Sequence, residues 1–265
     1  MNSQAVLVDT HAHYNDMVFV RDIPDLRQRA QQAGVAVVVC VGYEVPSSRR
    51  AVMLAQKYPD VYATVGVHPH DAEGMTPRAW EALRLLAGEE RVVALGEVGL
   101  DFYRNLSPHR VQEQVFRQQL DLALELHMPV VIHDRDAHDE TMEILKEFPG
   151  LAGVVMHCFS GERQMVEECL ARGFYLGVGG TLTYPKSHTL GDIVSAAPLD
   201  RILLETDCPY LSPQPWRGKR NEPSYLPAVA EKLAELRGIS RQEAAAATTA
   251  NALRFYHISL PASGI

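Results

Sequence analysis

Short apolar runs alternate with longer amphipathic stretches along almost the whole chain. The runs fall at 5–9, 35–42, 61–67, 91–97, 130–133, 152–157, 174–178 and 201–206. Stretches rich in Glu, Arg and Gln fill 22–33, 46–57, 76–90, 108–127, 136–148, 161–172 and 186–197, and two more follow at 224–237 and 241–256. Each run is nearly continuous in apolar residues, which predicts a strand covered on both faces. In the fourth stretch Val111, Val115, Phe116, Leu120 and Ala123 recur at helical steps, the mark of a helix that buries one side. Helices between successive strands predict parallel pairing. Eight such units predict closure into a single (β/α)8 TIM barrel, an α/β domain spanning 1–265. A doubly wound open sheet is the alternative, but it gathers ligand groups at one crevice.

Length and charge narrow this further. The 265 residues are near the roughly 250 of one such barrel, so no second domain is required. With 46% hydrophobic and 22% charged residues the composition is that of an ordinary globular protein. There is no apolar stretch long enough to predict a membrane span. The first residues lack the basic, apolar and cleavage-site series of a secretory signal, so a cytoplasmic location is expected. Cys40, Cys158, Cys169 and Cys208 form no C-x-x-C pair and are too sparse for a disulfide framework. The 25 basic and 33 acidic residues leave a net charge of −8, which argues against a duplex-binding protein that relies on a basic surface. An anionic substrate would have its charge met locally, by metal ions and a few arginines.

Candidate chemistry sits at the ends of the runs. Val6-Leu7-Val8 leads into Asp9-Thr10-His11-Ala12-His13, and alternate residues of a strand share a face, so both imidazoles can reach one ion. Glu97 closes 91–97, His133 closes Val130-Val131-Ile132, His157 closes Val154-Val155-Met156, and Asp207 follows Leu204-Glu205-Thr206. Ligands delivered at strand exits are expected at the C-terminal mouth of a parallel barrel. His11, His13, Glu97, His133, His157 and Asp207 are therefore read as ligands of two divalent cations. A carboxylate such as Glu97 is costly on a buried strand unless paired, and bridging two cations resolves that cost. Imidazole with carboxylate suits zinc, manganese or iron, whereas an all-oxygen shell suits magnesium. Two ions about 3.5–4 Å apart activate a bridging water. Asp207 is read as a ligand that also accepts that water's proton, with Glu97 the second catalytic group. Glu205 is read as a structural partner on the opposite face, and Cys158 and Cys208, one residue beyond two ligands, as pointing away.

These segments resemble the TatD family of metal-dependent hydrolases, within the amidohydrolase-like TIM barrels. The resemblance rests on Asp9-Thr-His-Ala-His13, Gly66-Val-His-Pro-His70, Gly96-Glu-Val-Gly-Leu-Asp-Phe-Tyr-Arg104, His133-Asp-Arg-Asp-Ala137, His157-Cys-Phe-Ser-Gly161, Leu204-Glu-Thr-Asp-Cys-Pro-Tyr210, Arg217-Gly-Lys-Arg-Asn-Glu-Pro223 and Asn251-Ala-Leu-Arg-Phe255. It covers nearly the whole chain, and departs at Ala12, where many relatives have Cys. It implies His11, His13, Glu97 and Asp207 on one metal, and Glu97, His133 and His157 on the other. It also implies a phosphodiesterase on DNA, commonly an exonuclease on single strands or ends. His68 is expected to touch a phosphate or to cap a loop. Arg104, Arg135, Arg217 and Arg220 are expected candidates for phosphate clamping. Tyr103, Phe159, Tyr184, Tyr210 and Trp216 are candidates to stack an unpaired base. The Pro-rich segment 208–224 is expected to lie over the mouth. Beyond DNA no obligate protein partner is evident. A hydrolase of a small ester, lactone, amide or aminoacyl ester on the same barrel is the alternative.

Overall fold

The computed structural model describes residues 6–261. Residue 5, where the first apolar run begins, and the outermost residues of the expected 1–265 domain lie outside the described residues. Eight parallel strands follow in chain order around one sheet: β1 Leu7–Ala12, β2 Val35–Val41, β3 Val61–Val65, β4 Val92–Asp101, β5 Val130–Arg135, β6 Val154–Met156, β7 Tyr175–Val178 and β8 Ile202–Leu204. Between them run α1 Ile23–Gln32, α2 Val45–Lys57, α3 Pro77–Ala87, α4 His109–Leu126, α5 His138–Lys146, α6 Arg163–Ala171 and α7 His188–Ala196, and α8 Leu226–Arg237 and α9 Arg241–Phe255 complete the chain. This is the expected (β/α)8 barrel.

Local chemistry explains the helix limits. Ser240 accepts from the Glu243 amide while Glu243 reaches back to Ser240, a reciprocal cap that starts α9. Gly238, at a left-handed φ of 64°, stops α8. On α4 the buried positions Gln112, Val115, Phe116, Gln119, Leu120, Leu122 and Ala123 trace one face.

Two cores result. Strand residues such as Val38, Leu95, Ile132, Met156 and Leu204 join the helices in an outer layer. Val8, Val37, Val39, Ala94, Val131, Val155, Tyr175 and Leu203 form an inner one, with Phe255 and Tyr256 from the end of α9 packed into it.

Two irregularities in the ladder re-aim the site residues. Between Asp9 and Ala12 β1 spends one residue more than β2, and between Leu95 and Val98 β4 spends one more than β5. In a regular ladder that turned Val8 and Ala94 inward, His11, His13 and Glu97 would face the helices. The extra residue flips the alternation and turns all three into the barrel. Glu97 is consequently not at a strand exit, as the sequence pattern suggested, but in the middle of β4, which continues to Asp101. Close approach continues at Gly99, whose φ is +143° and where a Cβ would overlap the His133 carbonyl.

β8 meets β1 through a single parallel bridge, Ala12 to Cys208, and through side chains. His13 N donates to Cys208 O at 2.8 Å and Asp207 N to His11 O at 2.8 Å. Below them the buried Asp9 carboxylate accepts from Thr206 N at 3.0 Å and from Thr206 Oγ1 at 2.6 Å. Burial pushes the Asp9 carboxyl up to about 7, and the Thr206 bonds work against that rise. The seam that carries His11, His13 and Asp207 is thus held by these backbone bonds, by Thr10 Oγ1 donating to Leu204 O at 2.9 Å, and by a threonine–aspartate clasp. Thr206→Val should remove a donor from this buried carboxyl group and lower stability by about 1.5–3 kcal/mol. A urea midpoint equal to that of the wild type would show that the seam does not need the hydroxyl.

Candidate metal centre

The six side chains expected as ligands converge inside the C-terminal mouth. His11 Nε2 stands 3.3 Å from His13 Nε2, 3.4 Å from Glu97 Oε2 and 3.7 Å from Asp207 Oδ1. His13 Nε2 is 3.3 Å from Asp207 Oδ1 and 3.8 Å from Glu97 Oε2. Ligands at about 2.1 Å from one tetrahedral ion stand roughly 3.4 Å apart, which is the spacing found here. His13 Nδ1 donates to Val41 O at 3.0 Å, so its Nε2 turns a lone pair toward the group. These residues fit a divalent cation.

The other oxygen of Glu97 faces a second set. Oε1 lies 2.8 Å from His133 Nδ1, 3.3 Å from His157 Nε2 and 3.6 Å from His68 Nε2. Donor atoms close enough to share an ion form three groups: His11–His13–Glu97, His68–Glu97–His133 and His11–His157–Asp207. Both implied sets are altered: the first group lacks Asp207 and the second takes in His68, while Asp207 joins a third group with His157 and His11. The rings of His157 and His11 stack, with centroids 3.7 Å apart. His68 also caps the short 3₁₀ helix Pro69–Gly74, its Nδ1 accepting from His70 N at 3.1 Å. Neither Cys158 nor Cys208 belongs to any of these groups.

Electrostatics make a cation the natural occupant. Glu97, Asp101, Glu205 and Asp207 are all buried, and among the described residues their ion-pair partners are histidines alone. Burial works against charge on Glu97, but His157, His68, His11 and His133 hold its carboxyl well below the usual range. Burial likewise opposes Asp207, and the His13 bond and three nearby imidazoles pull it down instead. Against its burial, His157 is lifted well above an ordinary imidazole by Glu205 and Glu97. Burial and the neighbouring His133 push His68 well below. So many charges out of water are tolerable only when compensated in place.

Several supporting groups surround these ligands. Glu205 lies on the inward side with Asp207, which corrects the opposite-face reading. Its Oε1 accepts from His157 Nδ1 at 3.1 Å and from Cys158 N at 2.6 Å. Asp101 accepts from His133 Nε2 at 3.2 Å and from His70 Nε2 at 2.9 Å. From α4, Gln119 clamps both backbone groups of Val67, and Gln112 clamps both of Asp101. Those two glutamines sit seven residues apart on the buried face of the helix, a spacing visible in the sequence as polar interruptions of an apolar stripe.

The rim residues have varied fates. Arg220 pairs with Asp22, donates to Val18 O at 3.1 Å and lies over Phe19, so it ties the 208–224 segment to the β1–α1 loop. Arg217 is exposed over the Tyr184 ring at 4.4 Å and Arg135 over Tyr103 at 4.0 Å. Arg104 is exposed, and its backbone N–H donates to Asp101 at 2.7 Å. Tyr210 is exposed with its ring 6.0 Å from that of His13, Trp216 stacks on Tyr225, and Phe159 is core.

Gly177 on β7 packs against Glu205, and a Cβ there would overlap Glu205 Oε2 and crowd His157. Gly177→Ala should therefore push Glu205 off His157, costing about 1–3 kcal/mol of stability, and should weaken zinc uptake. Unaltered melting and unaltered zinc uptake together would show that Glu205 has room to move.

Residues 8–257 match the model of the family described as TatD related DNase. The chain is 42% identical to an uncharacterized metal-dependent hydrolase, YabD, of Bacillus subtilis, over 96% of this chain and 100% of that protein. It is 41% identical to the 3'-5' ssDNA/RNA exonuclease TatD of Citrobacter rodentium, over 96% of this chain and 99% of that one. The crystal structure of YJJV, a TatD homolog from Escherichia coli, superposes with a TM-score of 0.92 at 33% identity, covering 97% of this chain and 100% of the other. The geometry and the comparisons agree: the chain belongs to the TatD-related DNase family of metal-dependent hydrolases.

Proposed function

We propose that this chain is an exonuclease that hydrolyses phosphodiester bonds at the ends of single-stranded DNA or RNA, using two divalent cations. The carrying observation is Glu97, whose two oxygens face two different sets of imidazoles. His11, His13, Glu97 and Asp207 would hold one ion. Glu97 and His133 would hold the other, with His157 or His68 as the further ligand. A donor set this rich in imidazole favours zinc or manganese over magnesium. Bound cations would supply Lewis acidity and a water acidic enough to attack at neutral pH. Asp207, whose carboxyl the neighbouring imidazoles hold below its usual range, would be the group placed to accept a proton from an attacking water. Glu205 holds His157 in orientation, and the carbonyl of Val41 does the same for His13. The 3'-to-5' direction and the use of RNA are supported by the names of the Citrobacter relative and others like it. A cytoplasmic location belongs to the same reading, supported by four free cysteines; no described helix is long and apolar enough to cross a membrane.

The reading is tested with protein loaded with zinc, manganese or magnesium and single strands labelled at one end. Stepwise shortening from an open 3' end, blocked by chelator or by a 3' cap, is the expected result. Hydrolysis of an ester, lactone or amide panel with the strands untouched would replace the nuclease by the small-substrate enzyme.

Glu97→Ala should lower occupancy at both ion sites, whereas His133→Ala should empty mainly one. Loss of the same single ion in both variants would refute bridging. Asp207→Asn keeps an oxygen ligand without the proton acceptor, so kcat should fall about 10²–10⁴-fold with KM little changed. Near-normal turnover would mean that another base acts.

A further inference from the structure

Asp101 lies at the end of β4 beside β5, opposite Arg135 in the register and two residues beyond Gly99, which is opposite His133. It is 1% exposed. Its Oδ2 faces His133 Nε2 at 3.2 Å and His70 Nε2 at 2.9 Å, and its Oδ1 accepts from Arg104 N at 2.7 Å. Gln112 fixes the Asp101 backbone from α4 with bonds of 2.8 and 3.1 Å. The carboxylate therefore has little freedom to turn.

An ionised carboxylate only accepts hydrogen bonds, so both facing Nε2 atoms carry hydrogen. A neutral imidazole with its proton on Nε2 has its lone pair on Nδ1. In His133 that atom is the one 2.8 Å from Glu97 Oε1. His157 is arranged the other way, with Nδ1 facing Glu205 and Nε2 facing Glu97. Adjacent strands thus deliver histidines to the same oxygen through different ring nitrogens, and in each case a buried carboxylate faces the nitrogen left over.

We propose that Asp101 is the positioning residue of the second ion site: by keeping the His133 proton on Nε2 it commits Nδ1 to the metal. The inference rests on the two-ion reading. It adds that the second site depends on a carboxylate that touches neither ion nor substrate. A partner of this kind commonly contributes 10–100-fold to metal affinity. The loop-capping bond to Arg104 N is a separate duty of the other oxygen, and it is what a purely structural role would leave.

The test combines two readouts. Zinc affinities are measured by competition with a chromophoric chelator in wild type, Asp101→Ala and Asp101→Asn. In Asp101→Ala the second zinc should bind about 10–100-fold more weakly, with the first within about threefold of wild type. Asn has an amide oxygen able to accept a hydrogen bond from His133 Nε2, so it should restore part of the loss. The second readout is a long-range proton–nitrogen NMR spectrum of metal-free, histidine-labelled protein, with His133 assigned by its loss in His133→Ala. His133 should carry hydrogen on Nε2 in wild type, and in Asp101→Ala it should keep hydrogen only on Nδ1, toward Glu97. The proposal is overturned by an unchanged second zinc, by equal weakening of both ions, or by an Nε2 proton that persists in Asp101→Ala. A wild type that binds one zinc only would sink the two-ion reading, and the nitrogen spectrum would still judge what Asp101 does to His133.

Discussion

Everything in this mouth is arranged around one buried carboxylate. Glu97 sits mid-strand, 4% exposed, where an uncompensated negative charge would cost several kcal/mol or more. No lysine or arginine among the described residues pairs with it; imidazoles surround it instead, from β1, β5, β6 and the segment after β3. An imidazolium answers the charge directly and a neutral imidazole can donate one N–H to it, whereas a ring nitrogen that turns its lone pair toward it needs a shared cation. The same side chains therefore make a tolerable empty site and a good metal site, with protons and cations competing for the same lone pairs. That competition makes metal affinity in such a site pH-dependent.

The backbone serves the same constraint. Extra residues in β1 and β4 turn His11, His13 and Glu97 inward. The β8–β1 seam, which has the sparsest ladder, is where Asp207 meets the histidines of β1. The short ladder at this seam is supplemented by the Asp9–Thr206 clasp and by the Thr10 hydroxyl on Leu204 O, so precision depends also on side chains that themselves need burial. Glu205, Asp101, Gln112 and Gln119 extend that logic outward. Each has a buried polar group satisfied by a neighbour it holds in place.

Much of this was legible in the sequence, for a physical reason. A buried parallel strand is an apolar run, its helix has a period, and a ligand at its exit interrupts the run with His or a carboxylate. Thus 130–133 and 154–157 announced His133 and His157 without further help. Glu97 was found but misplaced, since Gly96 and Gly99 resemble a strand end whereas β4 continues to Asp101 with Val98 and Leu100 buried against the outer layer. The bulges left no trace in composition, because an extra residue changes facing and not hydrophobicity. Asp101 stayed silent and Glu205 was read as structural but on the wrong face, because their meaning lies in partners 32 and 48 residues away.

The arginines of the mouth bear on how a polyanion would be gripped. Arg220 is neutralised by Asp22 and Arg29 by Glu222, so the 208–224 segment uses these charges to hold itself down. Arg217 and Arg135 remain exposed, but each lies over an aromatic ring, Tyr184 and Tyr103. A guanidinium on an aromatic face offers a flat surface with charge at its edge, suited to a stacked base beside a phosphate. Two such platforms on a chain of net charge −8 do not make a long basic track. On the proposed reading the nucleic acid is held over a short footprint, its scissile phosphate neutralised by the cations and its neighbours by one or two arginines. A short footprint releases few counterions, so binding should depend weakly on salt. It also favours strand ends over strand interiors, because an end can enter a narrow mouth without bending the chain on both sides.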